Sequence, residues 1–167
     1  SRSHAEARGA KIYGTILGTG ASCVNSETGQ ANETQAVQLA AQMALANAGV
    51  DPSDLGHVNV SASGHLTRDA FEAQAIRTIL GDKAADIPVT APKSYIGSAG
   101  SGSALTEIAV SLLGLQHGVI PKTLNFQSTD DSCALNVVGN EHLATENKLF
   151  LKTSVTRMGQ SSAVIIG

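Results

Sequence analysis

Two stretches decide the fold: residues 58–76 read VNVSASGHLTRDAFEAQAI, and residues 93–107 read KSYIGSAGSGSALTE. The first stretch covers most of a short strand pattern, residues 57–61, and of a helical pattern over residues 68–80 that ends at Gly81. The second stretch places a glycine- and serine-rich loop before another helical pattern, residues 101–117. Strand, loop and helix thus follow one another twice, which predicts a layered α/β fold.

The flanking sequence extends this pattern to five strands. The predicted strands are residues 11–17, 57–61, 89–91, 149–155 and 163–166, and residues 18–30 are predicted to be a loop. A helix over residues 32–49 is indicated by a capping box at Asn32 and Gln35 and by Gly49 at its end. We expect one domain over residues 1–167, with a mixed sheet and a last helix that buries Leu105, Ile108, Ala109 and Leu112.

Composition excludes several classes of function. Apolar residues make up 42% and charged residues 15% of 167 residues, which is typical of a globular protein. The net charge of −3 and the lack of a basic stripe argue against nucleic acid as a partner, and no apolar run is long enough to cross a membrane. Cys23 and Cys133 lie far apart without metal-ligand spacing, so we expect both to be reduced and buried in a cytoplasmic protein without a metal site.

Several ordered motifs are similar to those of one enzyme family. Residues 58–72 resemble V-N-A-H-G-T-S-T-P-x-x-D-x-x-E, and residues 93–98 resemble K-S-x-x-G-H, the two active-site histidine segments of β-ketoacyl-acyl-carrier-protein synthases. Residues 4–13 resemble the H-A-x-x-R-G-A-x-I-Y segment of these ketosynthases, and residues 119–125 resemble their V-x-P-x-T-x-N run. Residues 130–135 resemble their D-x-x-C-x-L segment.

The resemblance covers only the second half of a ketosynthase. It implies the C-terminal half of the thiolase-like α-β-α-β-α sandwich, with the nucleophilic cysteine of the family in a first half that is absent here. The chain is then either a fragment of a larger protein or a domain that works beside another one. The resemblance implies no cofactor and no metal.

Two catalytic positions of the family differ in this chain. Ser61 stands at the position of the first histidine and Ser98 at that of the second. In ketosynthases the two imidazoles donate hydrogen bonds to the enolate that forms when the malonyl group loses CO₂. A serine hydroxyl ends short of an imidazole nitrogen and cannot become a cation near neutral pH. His65, four residues beyond Ser61, is a displaced alternative, although a solvated loop histidine is the simpler interpretation.

Other positions of the family site are retained. Lys93, Asp69 and Glu72 match positions of the family motifs, and the resemblance implies that the lysine belongs to the catalytic network and that the glutamate lies close to it. A purely structural alternative is a Lys93–Glu72 ion pair that ties a helix to the following loop. The remaining histidines, including His57 and His117, are interpreted as surface residues at the ends of elements.

The loop that lines the acyl entrance in the family is altered. Val155, Thr156, Arg157, Met158 and Gly159 replace F-G-F-G-G, so only Gly159 matches and the gating movement of the family becomes doubtful. The glycine-rich residues 97–102 lack the ending of a phosphate-binding P-loop.

Three functions remain open from the sequence. The first is a catalytically degenerate ketosynthase-like domain of fatty acid or polyketide biosynthesis that acts as a chain-length-factor-like partner. The second is the C-terminal half of a divergent active acyltransferase, a 3-oxoacyl-acyl-carrier-protein synthase. The third is a structural thiolase-fold module. Expected partners are the N-terminal ketosynthase half or an active ketosynthase subunit, in a homo- or hetero-oligomer, and an acyl carrier protein.

Overall fold

A computed structural model describes residues 1–167 as twelve regular elements and four short 3₁₀ turns. The helices are α1 (Arg2–Ala7), α2 (Glu33–Ala48), α3 (Leu66–Leu80), α4 (Lys93–Ile96) and α5 (Ser103–Gln116). The strands are β1 (Ile16–Cys23), β2 (His57–Asn59), β3 (Val89–Thr90), β4 (Val119–Ile120), β5 (Leu143–Ala144), β6 (Phe150–Val155) and β7 (Gln160–Ile166).

The main sheet has five strands in the order β1-β7-β6-β2-β3. Strand β7 pairs antiparallel with both β1 and β6, whereas β2 pairs parallel with both β6 and β3. The predicted mixed five-stranded sheet and the β6–β7 hairpin are therefore confirmed. A separate antiparallel pair, β4 with β5, was not predicted, because each strand is only two residues long.

The first strand was predicted in the wrong place. It spans Ile16–Cys23 and includes residues that were interpreted as a glycine-rich loop. Gly18 and Gly20 are strand residues here because helix α2 crosses them closely. A Cβ atom on Gly20 would overlap the carbonyl oxygen of Ala40 and lie 2.8 Å from the Cβ of Met43. The glycines therefore allow close packing of a helix on a strand and do not form a turn.

Helix α2 matches its prediction closely. The side chain of Asn32 accepts a hydrogen bond from the backbone N–H of Gln35 at 3.0 Å, and Gly49 adopts a left-handed φ of 65° at the other end. Its buried side chains are small, and they let the helix lie on β1 and β7. This packing forms the centre of the apolar core, with the α2 residues Ala36, Val37, Ala40, Ala41 and Ala44 fully buried.

Helix α5 buries a different face from the predicted one. Its buried residues are Ser103, Glu107, Ser111 and Leu115, whereas Leu105 is 73% exposed. The helix therefore turns a largely polar face toward the sheet and Leu105 and Leu113 outward, while Ile108 and Leu112 pack against the small apolar cluster of Leu115, Phe150 and Ile166. The prediction was wrong for Leu105 and Ala109, which are exposed, because hydropathy alone assigned them to the inside.

The cysteines also depart from expectation. Cys23 is exposed and Cys133 is half-buried, and both are free thiols. Cys23 is exposed because it ends the edge strand β1. No helix is long and apolar enough to cross a membrane.

Candidate active site

Two carboxylates fix the loop that follows β2. Glu72 accepts hydrogen bonds from the backbone N–H groups of Ser61 and Ala62 at 2.8 and 2.9 Å. Asp69 accepts from the N–H groups of Ser63 and Gly64 at 2.8 and 2.9 Å. Both acids lie on α3, so this helix holds the loop in one conformation. That conformation includes Ala62 at a φ of 40°, a region that favours glycine.

The predicted Lys93–Glu72 ion pair is wrong. Besides its two backbone donors, Glu72 accepts a hydrogen bond from the hydroxyl of Thr153 at 2.8 Å, which leaves it fully engaged with β2 and β6. Lys93 pairs with Glu107 on α5 instead. Glu72 is thus part of the framework behind the loop rather than a partner of the lysine.

Glu107 joins two lysines in a buried cluster. One carboxylate oxygen contacts the Nζ of Lys93, and the other contacts the Nζ of Lys152 on β6. Lys152 also donates to the carbonyl oxygen of Val60 at 3.3 Å. Glu107 and Lys152 are 1% and 2% exposed, while the Lys93 side chain is 14% exposed. Burial lowers the pKa of Lys152, and the charge of Glu107 opposes that shift.

Sequence reasoning missed both Glu107 and Lys152. Glu107 stands one helical turn from both Ser103 and Ser111, so the small polar residues at this spacing were the available signal. Lys152 lies in a strand whose first four residues are all buried, which conceals a buried lysine from any alternating pattern. The cluster joins α4 and α5 to β6, which lies far from both in the sequence.

A second group of polar residues extends the cluster along α5. His57 was expected at the surface, but it is fully buried and stacks on Phe150 with ring centroids 4.8 Å apart. Its Nε2 lies 3.2 Å from the hydroxyl of Ser111, which also accepts from the Nδ2 of Asn59 at 2.8 Å. The other ring nitrogen, Nδ1, is buried without a hydrogen-bond partner. Burial lowers the pKa of His57 to about 3.

A cavity of about 430 Å³ opens in front of the buried lysine cluster. Ser61, Lys93 and Ser98 all line it, so the structure brings together the three residues selected from the sequence. The wall is rich in hydroxyl groups and has two cationic side chains. The other lining residues are Ser63, Arg68, Gly100, Ser101, Ser103, Ala104, Glu107, Ser154, Val155 and Thr156.

Some of the remaining predicted site residues line this cavity and others do not. Val155 and Thr156 line it, whereas Arg157, Met158 and Gly159 belong to the turn that connects β6 to β7. The Gly159 N–H donates to the Thr156 carbonyl at 3.2 Å, and Gly159 has a φ of 71°. Asp69 lines neighbouring smaller cavities and not this one.

The other histidines do not line the cavity. His65 is exposed and precedes α3 without a side-chain hydrogen bond to the helix. His4, His117 and His142 are exposed as expected. The buried His57 lies behind the cavity, against Phe150 and α5, and does not line it. The positions that would direct a donor into the cavity are held by serines.

The fold and the cavity define a chain of the thiolase-like ketosynthase class. The family model for the β-ketoacyl synthase C-terminal domain matches residues 13–127. The chain therefore belongs to the β-ketoacyl synthase family and represents its C-terminal domain.

Similarity to individual proteins agrees with this assignment. The chain is 36% identical over 136 residues to the oxytetracycline polyketide putative beta-ketoacyl synthase 1 of Streptomyces rimosus, covering 81% of this chain and 32% of that protein. The ishigamide ketosynthase/chain length factor matches with a TM-score of 0.88 at 28% identity, over 99% of this chain and 40% of that one. AntDE:AntF, a type II ketosynthase in complex with its acyl-carrier protein, matches with a TM-score of 0.87 at 28% identity, over 99% and 41%. The chain thus spans about a third to two fifths of the proteins it matches.

Proposed function

We propose that the parent protein is a catalytically degenerate ketosynthase homologue of polyketide or fatty acid biosynthesis, and that it acts as a chain-length-factor-like partner of an active ketosynthase. The observation that carries the proposal is the presence of Ser61 and Ser98 on the cavity wall. These are the positions at which the resemblance implies the two histidines of a condensing enzyme. The similarity to a ketosynthase/chain length factor supports the same interpretation.

The chemistry of decarboxylative condensation explains why two serines matter. Loss of CO₂ from a malonyl thioester leaves an enolate, and preorganised donors to such an oxyanion are worth about 3–4 kcal/mol each. The serine hydroxyls are shorter and neutral, so they stabilise the developing charge less. Lys93 is a cationic donor on the same cavity wall, but Glu107 already engages it. We therefore expect the parent protein to lack malonyl decarboxylation.

The test is release of CO₂ from malonyl-carrier protein by the purified parent protein. We expect no release above the uncatalysed rate. The double variant Ser61→His/Ser98→His should gain measurable decarboxylation. Ser101→His is the matched control, because it introduces an imidazole into the same cavity at a position without a histidine in the family. If the unmodified parent protein decarboxylates malonyl-carrier protein at a rate typical of ketosynthases, the proposal is refuted.

A second function, that of a divergent active acyltransferase, is favoured by the retained Lys93. This lysine is paired with Glu107 and still reaches the cavity. The two functions differ in what they require of the remaining two thirds of the parent protein. A cysteine at the nucleophile position of the family would support an active acyltransferase. Another residue at that position would support a chain-length-factor-like partner without catalytic activity.

We propose that helix α5 is covered by the N-terminal half of the ketosynthase fold. Leu105 and Leu113 are 73% and 53% exposed on this helix, and the exposed Ala109 lies between them, one turn from each. A contiguous exposed apolar patch marks an interaction site. The proposed partners of the chain are that half, an active ketosynthase subunit and an acyl carrier protein. The last is proposed by analogy with AntDE:AntF.

This association is testable with the two halves supplied separately. Co-expression of the chain with the preceding portion of its parent should give a complex, and Leu105→Glu/Leu113→Glu should abolish it. Leu66→Glu is the matched control, because Leu66 is equally exposed but lies on α3. The proposed interface is contradicted if the chain stays monomeric and does not bind the added half.

Two broader expectations also stay proposals. Residues 1–167 are taken as one domain of the parent protein. The parent is expected to work in the cytoplasm, since the two free cysteines suit a reducing compartment.

A further inference from the structure

We propose that a small cavity beside the loop of residues 61–64 is a binding site for a neutral apolar molecule the size of one six-membered ring. This cavity, which we call the apolar cavity, has a volume of about 180 Å³ and lies between helix α3, strand β3 and the segment 123–137. It shares no lining residue with the cavity of about 430 Å³. The inference therefore does not depend on whether the parent protein condenses malonyl groups.

The walls of the apolar cavity are mostly apolar and carry small side chains. Nine of its twelve lining residues are apolar. On the core side, Ala73 of α3 and Val89 of β3 are 3% and 1% exposed, whereas the lining residues of the segment 123–137 are half-buried. Ala62 and Ala91 also line the cavity, and their methyl groups are too short to fill it. A ligand in this space exchanges water for apolar walls, which favours a hydrocarbon-like molecule.

Hydrogen bonds hold the segment 123–137 in place over the apolar cavity. The N–H of Val89 donates to the carbonyl oxygen of Asn136 at 2.8 Å, and the N–H of Val138 donates to the carbonyl oxygen of Val89 at 2.9 Å. The guanidinium of Arg77 on α3 donates to the carbonyl oxygen of Ser132 at 3.2 Å. The segment is therefore fixed both to β3 and to α3, and the apolar cavity lies between these attachments.

The polar groups of the wall are already engaged within the chain. Glu72 binds two backbone N–H groups and the hydroxyl of Thr153, and Asp69 binds two further N–H groups of the same loop. The hydroxyl oxygen of Thr123 accepts from the N–H of Ala91 at 3.1 Å. A buried water needs two to four polar partners, whereas an apolar cavity of about 150 Å³ stays dry and binds benzene. Size and chemistry thus agree on an apolar ring as the ligand.

Cys133 offers a site-resolved measurement of occupancy. Its free, half-buried thiol belongs to a residue that lines the apolar cavity, whereas Cys23 is exposed and does not line it. The rate of alkylation by iodoacetamide can be followed for each cysteine peptide by mass spectrometry in the whole parent protein. A ligand in the apolar cavity should slow the reaction of Cys133 alone, and Cys23 is the internal control.

The test compares benzene with pyrazine, a ring of the same shape with two nitrogen acceptors. We expect benzene to slow alkylation of Cys133 severalfold and to leave that of Cys23 unchanged. The concentration dependence gives a dissociation constant for each ring. Pyrazine should bind at least about tenfold more weakly, the effect of one hydrogen-bonding group that loses water without gaining a partner. Equal affinities, no protection of Cys133 up to saturating benzene, or equal slowing at Cys23 would each overturn the proposal.

The decisive variant is Ala73→Leu, which fills the apolar cavity from α3. We expect benzene to lose at least tenfold in affinity, so that it no longer protects Cys133. Gln74→Leu is the matched control, because it adds a leucine at an exposed position of the same helix outside the cavity, and it should keep the protection. Unchanged protection in Ala73→Leu would contradict the assigned site. If this variant fails to fold, the comparison of benzene with pyrazine in the unmodified protein still decides the proposal.

Discussion

Acidification should destabilise the protein through one buried histidine. The pKa of His57 is lowered from 6.5 to about 3 by burial, so the folded state keeps the ring neutral where the unfolded chain already binds a proton. Stability is therefore fully present above pH 6.5 and is lost as the pH falls toward 3. By linkage, the loss is about 2 kcal/mol at pH 5 and about 4–5 kcal/mol once the folded-state pKa is reached.

Urea unfolding at pH 7.5 and pH 5 measures this loss before most carboxylates titrate. The reference is His57→Gln, which keeps a polar side chain opposite Ser111 but cannot take up a proton. The difference between the two pH values should be about 2 kcal/mol smaller in the variant. His65→Gln should retain the full pH dependence, because His65 is exposed. The reasoning is refuted if His57→Gln and the unmodified protein lose the same stability, or if the NMR signals of the folded His57 ring titrate near pH 6.5.

Three further substitutions test the packing around the site. Ala62→Gly should stabilise the protein by about 0.5 kcal/mol in urea unfolding, because it relieves a φ of 40°; a clear loss of stability would contradict the strained conformation. Glu72→Gln should cost about 2–3 kcal/mol, since it replaces the carboxylate that holds the site loop, and a change below about 0.5 kcal/mol would argue against that role. Gly20→Ala should cost about 3 kcal/mol because its Cβ would overlap the Ala40 carbonyl, whereas Gly102→Ala, which meets no close neighbour, should stay near neutral; equal thermal midpoints would count against the close approach of α2.

The parts of the fold that the sequence predicts well are those with local signals. Helix α2 has a capping residue, a small apolar stripe and a terminal glycine, all within one segment, and its boundaries agree to within a residue at each end. Strand β1 was displaced because Gly18 and Gly20 carry the local signature of a turn. Their actual role depends on α2, which crosses them from a distant part of the sequence.

The site was predicted only in part, for a related reason. Ser61, Lys93 and Ser98 were found because they stand in motifs, and they do line one cavity. Glu107 and Lys152 were missed because a glutamate and a lysine are assigned to the surface by any hydropathy pattern. Their burial depends on mutual neutralisation between residues 45 positions apart, and no local periodicity contains that information.

The reversed polarity of α5 makes the helix a reporter of assembly. If α5 separates from the sheet in the isolated chain, water reaches serines, a glutamate and lysines, which it hydrates well. The apolar cluster that opens with α5 is the small one of Leu115, Phe150 and Ile166, whereas α2 belongs to the main core. Helix α2 cannot open this way, because its inner face consists of alanine, valine and leucine. Amide hydrogens of α5 should therefore exchange with deuterium much faster than those of α2 in the isolated chain. They should become slow only when the other half of the molecule covers Leu105 and Leu113.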